Sequence, residues 1–317
     1  MKRKVTLALV TVLVIISACN IYSSQDRTPT VIDSVTKSAI TETPASPVEY
    51  GGRIAYYSDT NSGICIMFPV VERIQGIDDR VCNKIPVSQW SADPDWSPSG
   101  EKIAFTSGDD SVGYNIFIMN ADGTNVMQLT QGRHNWGFPN WSPDGTRIVF
   151  SAGDKNVEGK IMVINSDGSG LTTLYDTWPA EYPAWSPDGL HIAFAAWSEG
   201  SFPKIFIMNS DGTGVKQITN PEWLDTRPAW SPDGNFIVFS RETDGQTGDT
   251  YLFITNADGT NVRILSDETL SASYSTWSPD GKYIAFSDES GQLWVIEADG
   301  TGIYSLKIDG RDPSWTR

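Results

Sequence analysis

Four copies of Ser-Pro-Asp-Gly punctuate this chain, beginning at Ser142, Ser186, Ser231 and Ser278. Serine and aspartate are two parts of a nucleophilic triad, but that chemistry also needs a base between them. The chain has only two histidines, His134 and His191, and neither recurs with the motif. A second repeated stretch, Asn-Ala-Asp-Gly-Thr-Asn, begins at Asn120 and Asn256 and shares residue types with a calcium loop. The EF-hand loop wants glycine sixth and a bidentate glutamate twelfth. Here glycine is fourth, and the twelfth residue from Asn120 is Gln131. No His/Cys cluster with zinc spacing and no Gly-x-Ser-x-Gly elbow occurs. Asp93 and Asp95 offer one carboxylate pair to a cation. The expectation is therefore a protein without catalytic residues, bound metal or cofactor.

The residues best suited to binding are aromatic. Trp90, Trp136, Trp178 and Trp223 each stand five to seven residues before another tryptophan. Phe138, Tyr182 and Tyr274 stand three before it, where Arg227 and Asp312 also occur. Trp197 and Phe202, with acidic Asp109, Asp110 and Glu199, come from a second set of segments, and His134 lies beside Arg133. Tryptophan and tyrosine combine apolar area with a polar handle, which suits protein hot spots and sugar stacking. The competing reading is that these rings fill gaps between structural units.

What positions them is a repeat. Trp96, Trp141, Trp185, Trp230, Trp277 and Trp315 are separated by 45, 44, 45, 47 and 38 residues. Each full unit has four short apolar runs: one ending in Trp, one reading Ile-Ala-Phe or Ile-Val-Phe, one like Asn-Ile-Phe-Ile-Met, and one ending in Leu or Ile. Their β-branched and aromatic content, bounded by turn residues, predicts strands. Ser-Pro-Asp-Gly joins the first to the second, with proline presetting φ. Asn-Ala-Asp-Gly or its variants join the third to the fourth. Four antiparallel strands per unit of about 45 residues predict a β-propeller. The repeat tryptophans belong to its core, and the loops leading into each first strand surround one channel mouth.

The last copy, Asp-Pro-Ser-Trp-Thr-Arg, stops after its first strand. The segment Tyr50–Asp59 reads YGGRIAYYSD and supplies the missing second strand. Strands over about 63–68 and 80–85 follow. The fold expected is an all-β, six-bladed propeller over 51–317, closed by pairing the C-terminal strand with the N-terminal blade. Cys65 and Cys82 then fall on neighbouring strands, and a disulfide between them is expected to contribute roughly 3 kcal/mol.

The unit P-x-W-S-P-D-G-x-x-I-A-F resembles the repeat of the TolB family of bacterial envelope propellers, over nearly all of 51–317. The resemblance implies a propeller that binds an envelope protein. TolB-type proteins also carry an N-terminal α/β domain, for which residues 20–50 leave no room.

Those N-terminal residues read differently. Lys2, Arg3 and Lys4 precede a 14-residue apolar run that ends at Ile16-Ser17-Ala18-Cys19. The run is short for a membrane span of about 20 residues. It resembles a lipoprotein signal over 1–18, with Cys19 as the lipid-modified residue and 19–50 a Ser/Thr/Pro-rich tether reaching on the order of 30 Å. Without residues 1–18 the chain has 20 basic against 39 acidic residues. That balance argues against a nucleic-acid partner. The expectation is an extracytoplasmic monomer, held on a bacterial membrane by its lipid anchor alone. It would bind an envelope protein or a cell-wall glycan through the candidate face above. The alternatives are an enzyme acting on polysaccharide and a structural or sensory domain with no small ligand.

Overall fold

The computed structural model describes residues 51–316, apart from 59, 61–62, 68–80, 84–89, 110, 112, 133–134, 155–156, 199–201, 221, 244–248 and 267–269. The expected signal, Cys19, the tether and His134 lie outside the described residues.

Second strands such as Lys102–Asp109 and Phe236–Glu242 are buried almost without a break, so both of their faces are covered. A strand in a sheet with one wet face would alternate instead. The reason is the stacking of small sheets side by side. Among the described residues six core clusters form, and each joins one blade to the next. One cluster, for example, packs Ile54 and Tyr56 of the first blade against Leu293 and Val295 of the sixth. The result is a closed ring: a six-bladed propeller of four-stranded antiparallel blades.

The innermost strands are Trp90–Trp96, Asn135–Trp141, Ala180–Trp185, Leu224–Trp230, Ser273–Trp277 and Arg311–Thr316. Blades two and three touch through one parallel bridge, Tyr114 with Asn135. The remaining blade is built from both ends of the chain. Arg311–Thr316 pairs with Arg53–Ser58, placing Trp315 opposite Ile54. Gly63–Met67 and Val81–Asn83 complete it, with Cys65 opposite Cys82 and the two joined in a disulfide. The Trp315 Nε1 donates to the Gly51 carbonyl at 2.8 Å. Gly52 has φ +73°, and a Cβ there would collide with the Thr316 carbonyl, so the closure needs glycine.

The repeated aspartates are turn residues. In Ser142–Gly145 the glycine N–H donates to the serine carbonyl at 2.9 Å. Asp144 accepts from the Ser142 hydroxyl at 2.5 Å and the Thr146 amide at 3.0 Å. Asp188, Asp233 and Asp280 repeat the arrangement. In the other turn, Asp122 accepts from both the amide and hydroxyl of Thr124, and Asp167, Asp211, Asp258 and Asp299 do likewise with their own partners. These bonds hold the carboxyls below the usual range. Strand alternation places all nine turns on one face of the ring, called here the turn face. The inter-blade loops occupy the opposite face.

Five of the six repeat tryptophans are 5–7% exposed. Trp230 differs: it is half-buried and lines a cavity of about 480 Å³ on the turn face, with His191, Lys216 and Asp258.

Candidate functional site

The motif x-Pro-x-Trp shapes the channel. In the five innermost strands that end in Trp, the pairing slips just before the tryptophan, for instance between Ala92 and Asp95 or Thr226 and Ala229. Arg311–Thr316 slips at the same place in its pairing with Arg53–Ser58. Proline cannot donate to a ladder, so it is tolerated at such a bulge. The residue before it takes a left-handed φ in every blade: Asp93 50°, Phe138 55°, Tyr182 57°, Arg227 54°, Tyr274 51° and Asp312 51°. For non-glycine residues such a conformation costs on the order of 1–3 kcal/mol each. The conformation recurs in all six blades, at one level of the channel.

These six side chains form a ring. Arg227 lies between two tyrosines, its guanidinium carbon 3.9 Å from the Tyr274 ring centroid and 4.6 Å from that of Tyr182. It donates to the Tyr274 hydroxyl at 2.9 Å and the Tyr182 hydroxyl at 3.3 Å. Phe138 packs on Tyr182 with centroids 4.3 Å apart. Across the channel stand Asp93 and Asp312. Asp93 Oδ2 accepts from the Thr106 hydroxyl at 2.9 Å and the Phe138 amide at 3.4 Å. Asp312 accepts from the Asp93 amide.

A second ring lies one step closer to the turns. Here the residue before each Trp stitches its blade to the next. Asp95 Oδ2 accepts the Trp141 amide at 2.8 Å, and Asn140 Oδ1 accepts the Trp185 amide at 2.7 Å. Thr276 and Ser314 accept the Trp315 and Trp96 amides, each at 3.3 Å. Ala184 and Ala229 lack such an acceptor, and their carbonyls accept indole N–H groups from Trp230 and Trp277 at 3.2 Å.

Burial drives the channel carboxyls toward their neutral forms. It raises Asp95 to about 7 despite three hydrogen bonds. It raises Asp93 to about 6, helped by Glu181, and Asp312 to about 8, helped by the charge of Asp93. The three residues keep some exposed surface, but Asp312 Oδ1 has none and no hydrogen-bond partner. The two rings line an open cavity of about 160 Å³. It is lined by each ring residue and the two that follow it, and not by the residues that precede it. The cavity therefore lies on the turn side of the ring.

The residues singled out in the sequence separate accordingly. Phe138, Tyr182, Arg227 and Tyr274 lie within the innermost strands, not in the loops before them, because the bulge sits inside the strand. Trp90 and Trp136 also belong to those strands. Trp178 is half-buried against Phe206, and Trp197 is half-buried. Phe202 and Trp223 are exposed on the loop face at 54% and 37%. Beneath Trp223 lies a buried bidentate pair that sequence reasoning passed over: Arg241 donates to Asp225 at 2.6 and 2.9 Å. Their opposed register in adjacent strands was the available signal. Among the described residues, six of the eight exposed large apolar side chains, Leu190 and Phe236 among them, follow a turn by one to four residues, so they sit on the turn face. Among the described residues no group of three His, Cys, Asp or Glu is placed to hold a metal ion.

Comparison with known proteins agrees with this architecture. Residues 178–315 match the family described as TolB beta propeller domain. Residues 78–205 match the family described as eukaryotic translation initiation factor eIF2A. TolB from Acinetobacter baumannii has a TM-score of 0.67 and 21% identity, over 84% of this chain and 67% of that one. A structure assigned to TolB from Agrobacterium tumefaciens has a TM-score of 0.62 and 18% identity, over 82% and 90%. A nidogen/laminin complex gives 0.64 and 13%, over 84% and 99%. At these identities the likeness is one of fold. No curated protein matches the sequence.

Proposed function

Taking a TolB-like propeller as the premise, we propose that this chain is a binding module that docks an envelope protein across the turn-face mouth of its channel. The observation that carries the reading is the ring of six left-handed residues with its cavity on the turn side. Strain repeated in every blade is retained where the arrangement it enforces is used. Exposed Leu190 and Phe236 follow turns that join an innermost strand to the second strand of its blade, on that same face, and offer apolar contacts to a partner there. A structural neighbour seen in a nidogen/laminin complex supports a protein partner by analogy of fold. The lipoprotein-like N-terminus supports an extracytoplasmic, membrane-tethered location through Cys19. The propeller acts as a monomer in this reading.

Photo-crosslinking residues placed at Leu190 and Phe236 test the face directly. They are expected to trap one protein partner in cells, while the same probe at Phe202 and Trp223 traps none. Capture from Phe202 and Trp223 alone would return the docking surface to the inter-blade loops.

A further inference from the structure

Two of the seams between blades carry the same small device on the turn face. Arg53 of the first blade holds its guanidinium carbon 4.5 Å from the ring centroid of Trp96 in the second. Its Nη2 donates to the carbonyl of Gly100, in the turn that follows that tryptophan, at 2.6 Å. Arg147 of the third blade stands 4.7 Å over the ring of Trp185 in the fourth. In both blades the arginine opens the second strand. Lys102, Phe236 and Tyr283 open that strand in three further blades. The repeat tryptophans of the blades that follow them, Trp141, Trp277 and Trp315, are buried.

The seam between the fourth and fifth blades is built differently. Here His191 opens the second strand, and an imidazole is smaller than any of those other side chains. Its Nδ1 lies 4.0 Å from Asp188 Oδ2, and the side chain is 41% exposed. Trp230 is only half-buried, and it lines the turn-face cavity of about 480 Å³. Gly234, which stands in its turn where Gly100 stands in the second blade, lines the same cavity. The aromatic face and the glycine that receive Arg53 elsewhere are thus both present, while the chain supplies no arginine from His191.

Resting on the docking reading above, we propose that this cavity receives an arginine side chain of the docked protein, its guanidinium on the Trp230 ring and donating to the Gly234 carbonyl. The chain itself shows twice that the repeat presents its tryptophan to a planar cation. The size agrees, since about 480 Å³ lies within the roughly 300–1,000 Å³ of ordinary binding sites. Charge agrees as well. Asp188, Asp233 and Asp258 line the cavity against the single ammonium of Lys216, whose Nζ is directed to the Asp258 carbonyl at 3.5 Å. The rim is apolar. Exposed Leu190 precedes His191, Val215 lies between Gly214 and Lys216, and Phe236 follows Gly234 by two residues. Apolar contacts around an enclosed arginine are a common form of protein hot spot. A glycan would use the tryptophan face but gain nothing from the carboxylate charge.

Calorimetry on the intact chain tests this with Nα-acetyl-arginine methylamide as the probe. The citrulline analogue keeps the shape without the charge, the lysine analogue keeps the charge without the plane, and N-acetylglucosamine represents a glycan. The arginine probe is expected to bind at least about tenfold more tightly than each of the three. His191→Arg should fill the cavity from within, as Arg53 and Arg147 do at their seams. It is expected to weaken the probe at least about tenfold while the Tm stays level or rises. Trp230→Leu removes the face and should weaken the probe by a similar factor. Both variants are checked for a two-state melt. No measurable binding of the arginine probe, equal binding of the citrulline analogue, or unchanged binding by a folded His191→Arg overturns the proposal. Equal binding of the lysine analogue overturns the arginine assignment in favour of any cation, and tighter binding of N-acetylglucosamine overturns it in favour of a glycan. Crosslinking of a protein from Leu190 without probe binding sinks this inference alone. Probe binding without any crosslinked protein sinks the docking reading instead.

Discussion

At the scale of single residues, two populations of aspartate face opposite ways on the pH axis. The turn aspartates are held below their ordinary range by hydrogen bonds, so their contribution is lost as pH falls below about 4. Asp93, Asp95 and Asp312 are raised to about 6, 7 and 8. For a raised carboxyl the folded chain holds protons that the unfolded chain has released. Stability from these groups is full near pH 4 and declines as pH climbs through 6 to 8. Thermal melts should therefore show a maximum in mild acid and a falling Tm between pH 5 and 8.5. Asp312→Asn, which keeps the shape and removes the charge, should flatten that fall. A Tm that rises steadily to pH 8.5 in the native chain would contradict the buried placement of all three carboxyls.

At the scale of elements, the bulge is the device that matters, and proline is its companion rather than its cause. Five blades carry Pro after the ring residue, whereas the sixth carries Ser275. The bulge and the left-handed φ persist there, at Tyr274. Ser275 Oγ is buried without a hydrogen-bond partner. Ser275→Pro should therefore stabilise the chain by about 0.4–1 kcal/mol, through a stiffer unfolded state and the loss of an orphan hydroxyl. A shift in the urea midpoint at unchanged slope reports it, and a lower midpoint would mean that the Ser275 amide is needed. The Pro-x-Trp signature was plain in the sequence, and the tryptophans, turns and strands followed from it. Its consequence for the channel was not. A pattern of residue types shows which positions repeat, but a bulge reverses which side of the strand a side chain takes. Phe138, Tyr182, Arg227 and Tyr274 thus read as loop residues on one face, yet they meet inside the channel above a cavity on the other.

At the scale of the whole molecule, closure was legible because a missing strand at one end matched a surplus strand at the other. The pairing of Trp315 with Ile54 and the Gly51 carbonyl accepting the Trp315 indole realise it. Removing residues 312–317 takes away one buried Trp, one strand pairing, and the Ser314 hydroxyl that stitches Trp96. The loss should exceed about 4 kcal/mol, the usual cost of truncating a buried aromatic. Tm should fall by about 10 °C or more. A truncated chain that melts within a degree or two of the full one would show that the ring does not depend on this strand.

The same closing blade decides how the ring bears mechanical load. Arg53–Ser58 lies between two antiparallel neighbours, Arg311–Thr316 and Gly63–Met67. A pull on the chain at Gly51 acts along that strand. It strains both ladders in shear together instead of peeling one hydrogen bond at a time, and the Trp315 indole clasps the point where the force enters.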